Sequence, residues 1–170
     1  MDYANLFART LVKPAEMPVG MAEKTKYVFS VTYTDYGTLP YQGLSDALSE
    51  AMFREGRDLA MYPPPQGHEG MRELISEILA ENREVKTSPD SIFLSAGASG
   101  GIQCILDVFI EPGDIVLVEE FTYMGTLAML LQRQAEVIHV PTDQDGMDTD
   151  VLEGIVRNFV SKGKRPKMIL

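Results

Sequence analysis

Ile92-Phe-Leu-Ser-Ala-Gly-Ala-Ser-Gly-Gly101, continuing through a helical stretch to Pro112-Gly-Asp-Ile-Val-Leu-Val118, is the segment from which the fold is read. Ile92 to Ser95 reads as a short buried strand, and the small-residue loop Ala96 to Gly101 follows it. A helix then carries Ile102, Ile105, Leu106 and Phe109 until Pro112-Gly113-Asp114 breaks it. Ile115 to Val118 is apolar at every position, the pattern of a strand covered on both faces.

The same alternation continues downstream. An apolar helix lies around Leu127 to Leu131, and Val137 to Val140 forms a third strand. Asp143-Gln-Asp-Gly146 is a turn. Asp148 can cap a helix whose stripe is Leu152, Ile155, Val156, Phe159 and Val160. A fourth strand starts at Lys167-Met-Ile-Leu170, where the sequence stops with no helix to cover it, which reads as a truncation. Strands and helices alternating at this spacing imply right-handed βαβ units, an α/β fold and a mostly parallel sheet.

Upstream the texture differs. An irregular leader precedes a helix over Ser45 to Glu55 (Leu48, Ala51, Met52) that Gly56 is placed to stop. A second helix over Glu69 to Glu81 carries the stripe Met71, Leu74, Ile75, Ile78, Leu79. Tyr62-Pro-Pro-Pro-Gln-Gly67 between them reads as a stiff extended connector. The expected division is 1–88 and 89–170.

Composition narrows the function. The 170 residues carry a net charge of −10, which argues against a phosphate-backbone surface. The basic cluster Lys162, Lys164, Arg165, Lys167 reads as a solvated loop. One cysteine, Cys104, permits no internal disulfide and fits a reducing compartment. Two histidines and that cysteine offer no metal-ligand spacing. The start has no basic region followed by an apolar run, and no stretch is apolar for long enough to span a membrane, so a cytoplasmic protein is expected.

Ligands of open α/β sheets bind beyond the carboxyl ends of the strands. Two loops belong there: Ala96 to Gly101, and Glu119-Glu-Phe-Thr-Tyr-Met-Gly125. The first opens a helix with small residues and a Ser99 hydroxyl, a combination suited to a phosphate; a tight turn with glycines used only for packing reads equally well. A P-loop would need a lysine that is absent. A dinucleotide fingerprint would need glycines at 97, 99 and 102, but Ser99 and Ile102 stand at two of them, although Glu119 lies about twenty residues on, where a ribose-binding acid would be. In the second loop Tyr123 can stack on a planar group or simply be a half-buried tyrosine at a helix start.

Together these segments resemble the aminotransferase class I/II family of fold type I pyridoxal-phosphate enzymes. The resemblance runs over about residues 30–170, is strongest from Ile92 to Asp145, and includes Tyr62, Gly67 and Met71-Arg72 upstream. It implies a three-layer α/β/α large domain. Residues 1–88 would form an N-terminal arm and helical segment, part of a small domain and the start of the large one. Residues 89–170 would be the first half of the cofactor-binding domain. It implies an aminotransferase moving an amino group between an amino acid and a 2-oxo acid, with pyridoxal 5′-phosphate as cofactor. Gly97, Ala98 and Ser99 would hold the phosphate, and Tyr123 would stack on the pyridine ring. Tyr62 would reach the phosphate of a neighbouring subunit, implying a homodimer with shared sites. Gly37 would lie near the substrate carboxylate. The Schiff-base lysine, the acid at the pyridine nitrogen and the substrate arginine would lie beyond Leu170, so this piece alone is expected to be inactive.

Other fold type I chemistries, such as a C–S lyase or synthase, would look the same here. So would the aminotransferase-like sensor of a transcription regulator; a Rossmann nucleotide-binding protein is the remote alternative. Cys104 is expected to be a buried small hydrophobe, His68 a turn residue, His139 an ordinary strand residue, and Arg72 a helix salt bridge or packed stem. Glu119 and Glu120 are expected to be solvated or structural.

Overall fold

A computed structural model describes residues 34–170. The leader before them, with Lys13, Lys24 and Lys26, lies outside the described residues. Two compact units are present, with described parts 34–94 and 95–170. The change of texture expected at Pro89 falls inside the first of them.

The first unit opens with a 3-10 turn, Tyr36–Thr38, and helix α1, Tyr41–Glu55. The helix starts four residues before the expected Ser45, because the Pro40 carbonyl already accepts from Leu44 N at 3.0 Å. A glycine such as Gly43 inside a helix costs only about 1 kcal/mol, too little to stop it. Gly56 does not act as a left-handed cap. It stays right-handed (φ −55°, ψ −26°), and the chain runs on into a 3-10 turn over Asp58–Ala60. A Cβ at Gly56 would meet the Met52 carbonyl oxygen, so glycine is needed there for space. No residue of α1 is buried; Leu48, Met52 and Phe53 are all more than half exposed.

Helix α2, Glu69–Arg83, is capped by His68, whose Nδ1 accepts from Met71 N at 3.2 Å. The same ring places Nε2 3.2 Å from Glu55. Hydrogen bonding from Arg54 is the main reason that Glu55 titrates below the usual glutamate range. Arg72 is the buried centre of this unit. Its Nε donates to the Gly67 carbonyl at 3.2 Å and its Nη1 to the Pro89 carbonyl at 2.8 Å. The guanidinium thereby ties α2 to the proline connector and to the 3-10 turn Pro89–Ser91. Its ion pair with the exposed Asp90, at 3.7 Å, adds little beside those bonds.

Ile92 to Ser95 departs from expectation. Ile92 is extended, but the segment belongs to no sheet among the described residues, and none of it is buried: Ile92 and Leu94 are half-buried while Phe93 is exposed. The Leu94 amide is spent on the Gln66 carbonyl (2.9 Å), and Gln66 Nε2 donates to Asp90 O (3.0 Å). The segment thus closes the proline connector instead of joining a ladder. Gly67 sits at that closure with φ +96°, and a Cβ there would come within 2.7 Å of the Leu94 side chain.

The second unit is an α/β assembly. Its elements are α3 (Gly97–Phe109), β1 (Ile115–Glu119), α4 (Met124–Gln132), β2 (Glu136–Val140), the hairpin β3 (Thr142–Asp143) and β4 (Gly146–Met147), α5 (Thr149–Ser161) and β5 (Met168–Ile169). The strand order is β2-β1-β5, all parallel, with Ile115 opposite Glu136 and Val116 opposite Met168. The central strand sends alternate side chains to opposite faces. Val116 and Val118 pack with Leu106, Ile110 and Leu130 of the α3/α4 side. Ile115 and Leu117 pack with Leu152, Ile155, Val156 and Phe159 of α5. Helices on both faces of a parallel sheet make the three layers. Asp148 caps α5 as expected, its Oδ1 accepting from Asp150 N and Val151 N, each at 3.0 Å.

Cys104 is exposed, not buried. Helix α3 turns Ile102, Leu106 and Ile110 to the sheet, four residues apart, which leaves Cys104, Ile105 and Phe109 on other sides. The amino end of the sheet is stitched by main-chain bonds: Gly113 N to Gln134 O at 2.9 Å and Glu136 N to Asp114 O at 2.8 Å.

Two substitutions check the first unit. Arg72→Met leaves two part-buried carbonyls without their donors and is expected to lower unfolding free energy by about 2 kcal/mol in a urea titration. Gly67→Ala combines a left-handed φ with a steric conflict and is expected to cost about 2–4 kcal/mol in the same measurement.

Candidate functional site

The direction of the two helices on one face of the sheet decides where their ends fall. Arg133, just past the end of α4, donates Nε to Asp107 Oδ1 at 3.0 Å, near the carboxyl end of α3, and Nη2 to Gln103 O at 3.4 Å, at its middle. The carboxyl ends of the helices are therefore held together. Since α4 leaves the carboxyl end of β1 and returns antiparallel to it, α3 and α4 both start at that end of the strand.

Helix α3 begins without a side-chain cap, because Ala96 has no acceptor to offer. Gly97 adopts φ +72°, donates its own amide to Ser95 O at 2.9 Å, and receives the Ser95 hydroxyl on its carbonyl at 3.0 Å. The Ala98 and Ser99 amides find no hydrogen-bond acceptor among the described residues, and the Gly100 amide does not reach the carbonyl of the cap residue Ala96. Elsewhere the Leu44, Arg72, Leu127 and Leu152 amides each find the carbonyl of their helix's cap residue. The Ser99 side chain is exposed beside these open donors. The Ala98 and Ser99 N–H groups and a hydroxyl at the positive end of a helix dipole form a cradle suited to an anion, and a phosphate monoester fits its donor set. The Ser95 clamp on Gly97 was not foreseen; a serine two residues before a glycine is the signal that could have shown it.

Tyr123 is the N-cap residue of α4, 73% exposed, with no side-chain cap. It stands at the same end of the sheet as the amide cradle, at the start of the neighbouring helix. Glu119 and Glu120 are exposed there, with Glu120 N continuing the pairing to Val140 O at 2.9 Å. His139 lies in β2 with Nδ1 3.4 Å from Glu119 O.

The other two singled-out residues belong to the first unit. Tyr62 is fully exposed beside an open groove lined by Glu55, Asp58, Leu59, Pro63 and His68. The Gly37 amide is already committed, donating to Asp35 Oδ1 at 2.9 Å. Among the described residues no group of three His, Cys, Asp or Glu is placed to hold a metal, and no helix is long and apolar enough to cross a membrane.

Residues 32–170 match the family described as aminotransferase class I and II. This chain belongs to that family. The aminotransferase match is supported by the aromatic-amino-acid aminotransferase 1 of Thermococcus litoralis, 26% identical over 78% of this chain and 32% of the relative. The kynurenine aminotransferase of Pyrococcus horikoshii, solved in complex with PMP, superposes with a TM-score of 0.73 at 28% identity, over 78% of this chain and 33% of that one. The HTH-type transcriptional regulator YjiR of Escherichia coli is 32% identical over 57% of this chain and 21% of its own length. The chain thus spans about a third of the aminotransferases it matches.

In this aminotransferase-family chain the conformation of Gly97 is separable from its packing, since a Cβ there would meet nothing within 4 Å. Gly97→Ala is expected to cost about 1–2 kcal/mol from the left-handed φ alone, and Gly97→Asn less, in paired urea titrations.

Proposed function

We propose that this chain forms the phosphate-binding part of a pyridoxal-phosphate-dependent aminotransferase acting on an amino acid and a 2-oxo acid. The observation that carries the reading is the start of α3, where the Ala98 and Ser99 amides are open among the described residues and stand with the Ser99 hydroxyl at the sheet end of Tyr123. The family membership and the PMP-bound relative support the choice of ligand over a nucleotide.

In this reading the Ala98 and Ser99 amides and the Ser99 hydroxyl hold the cofactor phosphate, with Gly97 letting the main chain come close. Tyr123 covers one face of the pyridine ring and excludes water from it. Once bound, pyridoxal phosphate supplies an electron sink for negative charge developing at the substrate α-carbon. Tyr62 extends to the phosphate in a second copy of the protein, which makes the active form a homodimer. Gly37 has no free amide, so a substrate contact there would use its Cα face.

The described lysines of the second unit do not serve as the covalent anchor. Lys164 pairs with Glu136 and Lys167 with Asp114, both at the amino end of the sheet, and Lys162 follows the end of α5. The anchoring amine, and the groups that orient the substrate, come from elsewhere in the protein. The single cysteine supports a reducing, cytoplasmic setting.

The similarity to YjiR favours a second reading, in which the same site senses a ligand within a regulator and turns nothing over. Conversion of an amino acid to its 2-oxo acid by the cofactor-loaded protein separates the two.

Pyridoxal phosphate titrations of the protein and its Ser99→Asp variant test the cradle. A carboxylate facing the phosphate is expected to weaken binding by about tenfold or more. Equal affinities, or tighter binding of NAD than of pyridoxal phosphate, would count against it.

A further inference from the structure

Gly125 poses a question that its backbone does not answer. It is the second residue of α4 and has no positive φ, so any residue could adopt its conformation. Alanine there would favour the helix by up to about 1 kcal/mol. Two other helical glycines, Gly43 and Gly154, have nothing within 4 Å of a built Cβ. At Gly125 the Tyr123 ring occupies the space. A Cβ would collide with Cε1 and come within 3.1 Å of Cζ and 3.2 Å of Cδ1.

The Cε1 edge of the ring therefore lies against Gly125 in the first turn of α4. No side-chain hydrogen bond is recorded for the Tyr123 ring among the described residues, and it is 73% exposed. The backbone of Tyr123 is held separately, its carbonyl accepting from Thr126 N at 3.0 Å and Leu127 N at 3.2 Å. With the main chain anchored, the shape of residue 125 selects among the side-chain rotamers.

Resting on the proposed role of Tyr123 as the cofactor-covering ring, we infer that Gly125 is the positioning residue for it. The missing Cβ is the slot in which the ring is pre-set against α4 before ligand arrives. Pre-setting an exposed aromatic removes rotamer freedom that binding would otherwise have to remove. Because the ring is at the surface, a Cβ at 125 displaces it without harming the fold.

The test is a double-mutant cycle in the full-length protein: parent, Gly125→Ala, Tyr123→Ala and the pair, each titrated with pyridoxal phosphate. Gly125→Ala is expected to weaken binding by about three- to tenfold when Tyr123 is present, the cost of an off-rotamer ring. With Tyr123→Ala it is expected to change affinity less than about twofold, because the ring it displaces is gone. Equal losses in both backgrounds, or no loss with the tyrosine present, overturn the inference. A second readout needs no cofactor: the 19F resonance of 3-fluorotyrosine at position 123, assigned by its disappearance in Tyr123→Phe. It is expected to shift in the Gly125→Ala apoprotein, and an unchanged resonance sinks the inference. If the parent binds no pyridoxal phosphate, the proposed function fails, and this resonance still decides the placement of the ring.

Discussion

The double-sided burial of β1 is the constraint on which the second unit rests. Val116, Leu117 and Val118 are fully excluded from water, and their alternation gives each face of one strand its own helix layer. Fully burying such a side chain is worth about 1.5–3 kcal/mol, so four consecutive residues, Ile115 to Val118, hold three layers together. Once β1 is central, with β2 on one side and β5 on the other, the helices have little choice of direction. Parallel strands require each connecting helix to run back, and Arg133 fixes α4 against α3 at the ends remote from the ligand loops.

That arrangement gives the uncapped start of α3 its meaning. His68 and Asp148 cap α2 and α5 with their side chains, whereas α1 and α4 lack a side-chain cap but keep the bond from their fourth amide to the cap carbonyl. Ala96 does neither, and Ser95 turns its hydroxyl to the Gly97 carbonyl, not to the amides beyond. Open donors in water cost little, but they gain strongly from an anion. In a chain of the aminotransferase class I and II family, with an aromatic ring set against the neighbouring helix start, the proposed phosphorylated aromatic cofactor would satisfy both features.

Among the described residues, the first unit is organised around one buried cation, Arg72, and none of its apolar side chains is buried. Arg72 gathers the Gly67 and Pro89 carbonyls, so the proline connector and the extended segment after it are organised around a guanidinium. From sequence this arginine read as a surface pair or packed stem, because nothing local shows that two carbonyls from remote turns converge on it.

The sequence by itself determined whatever is decided within a turn or two of chain. That includes the apolar run of β1, the break at Pro112-Gly113, the Asp148 cap, the stripe of α5 and the small-residue opening of α3, and with them the α/β class. Tertiary structure decided what depends on a partner from elsewhere. Ile92 to Leu94 has strand composition but no neighbouring strand among the described residues, and its Leu94 amide closes the connector on Gln66. Cys104 has apolar neighbours in sequence, yet the sheet selects the face of α3 that carries Ile102, Leu106 and Ile110. Gly125 reads as an ordinary helical glycine until the Tyr123 ring is seen lying on it. Local conformation follows from each residue's own steric and hydrogen-bonding preferences; burial and placement follow from surfaces that distant segments bring.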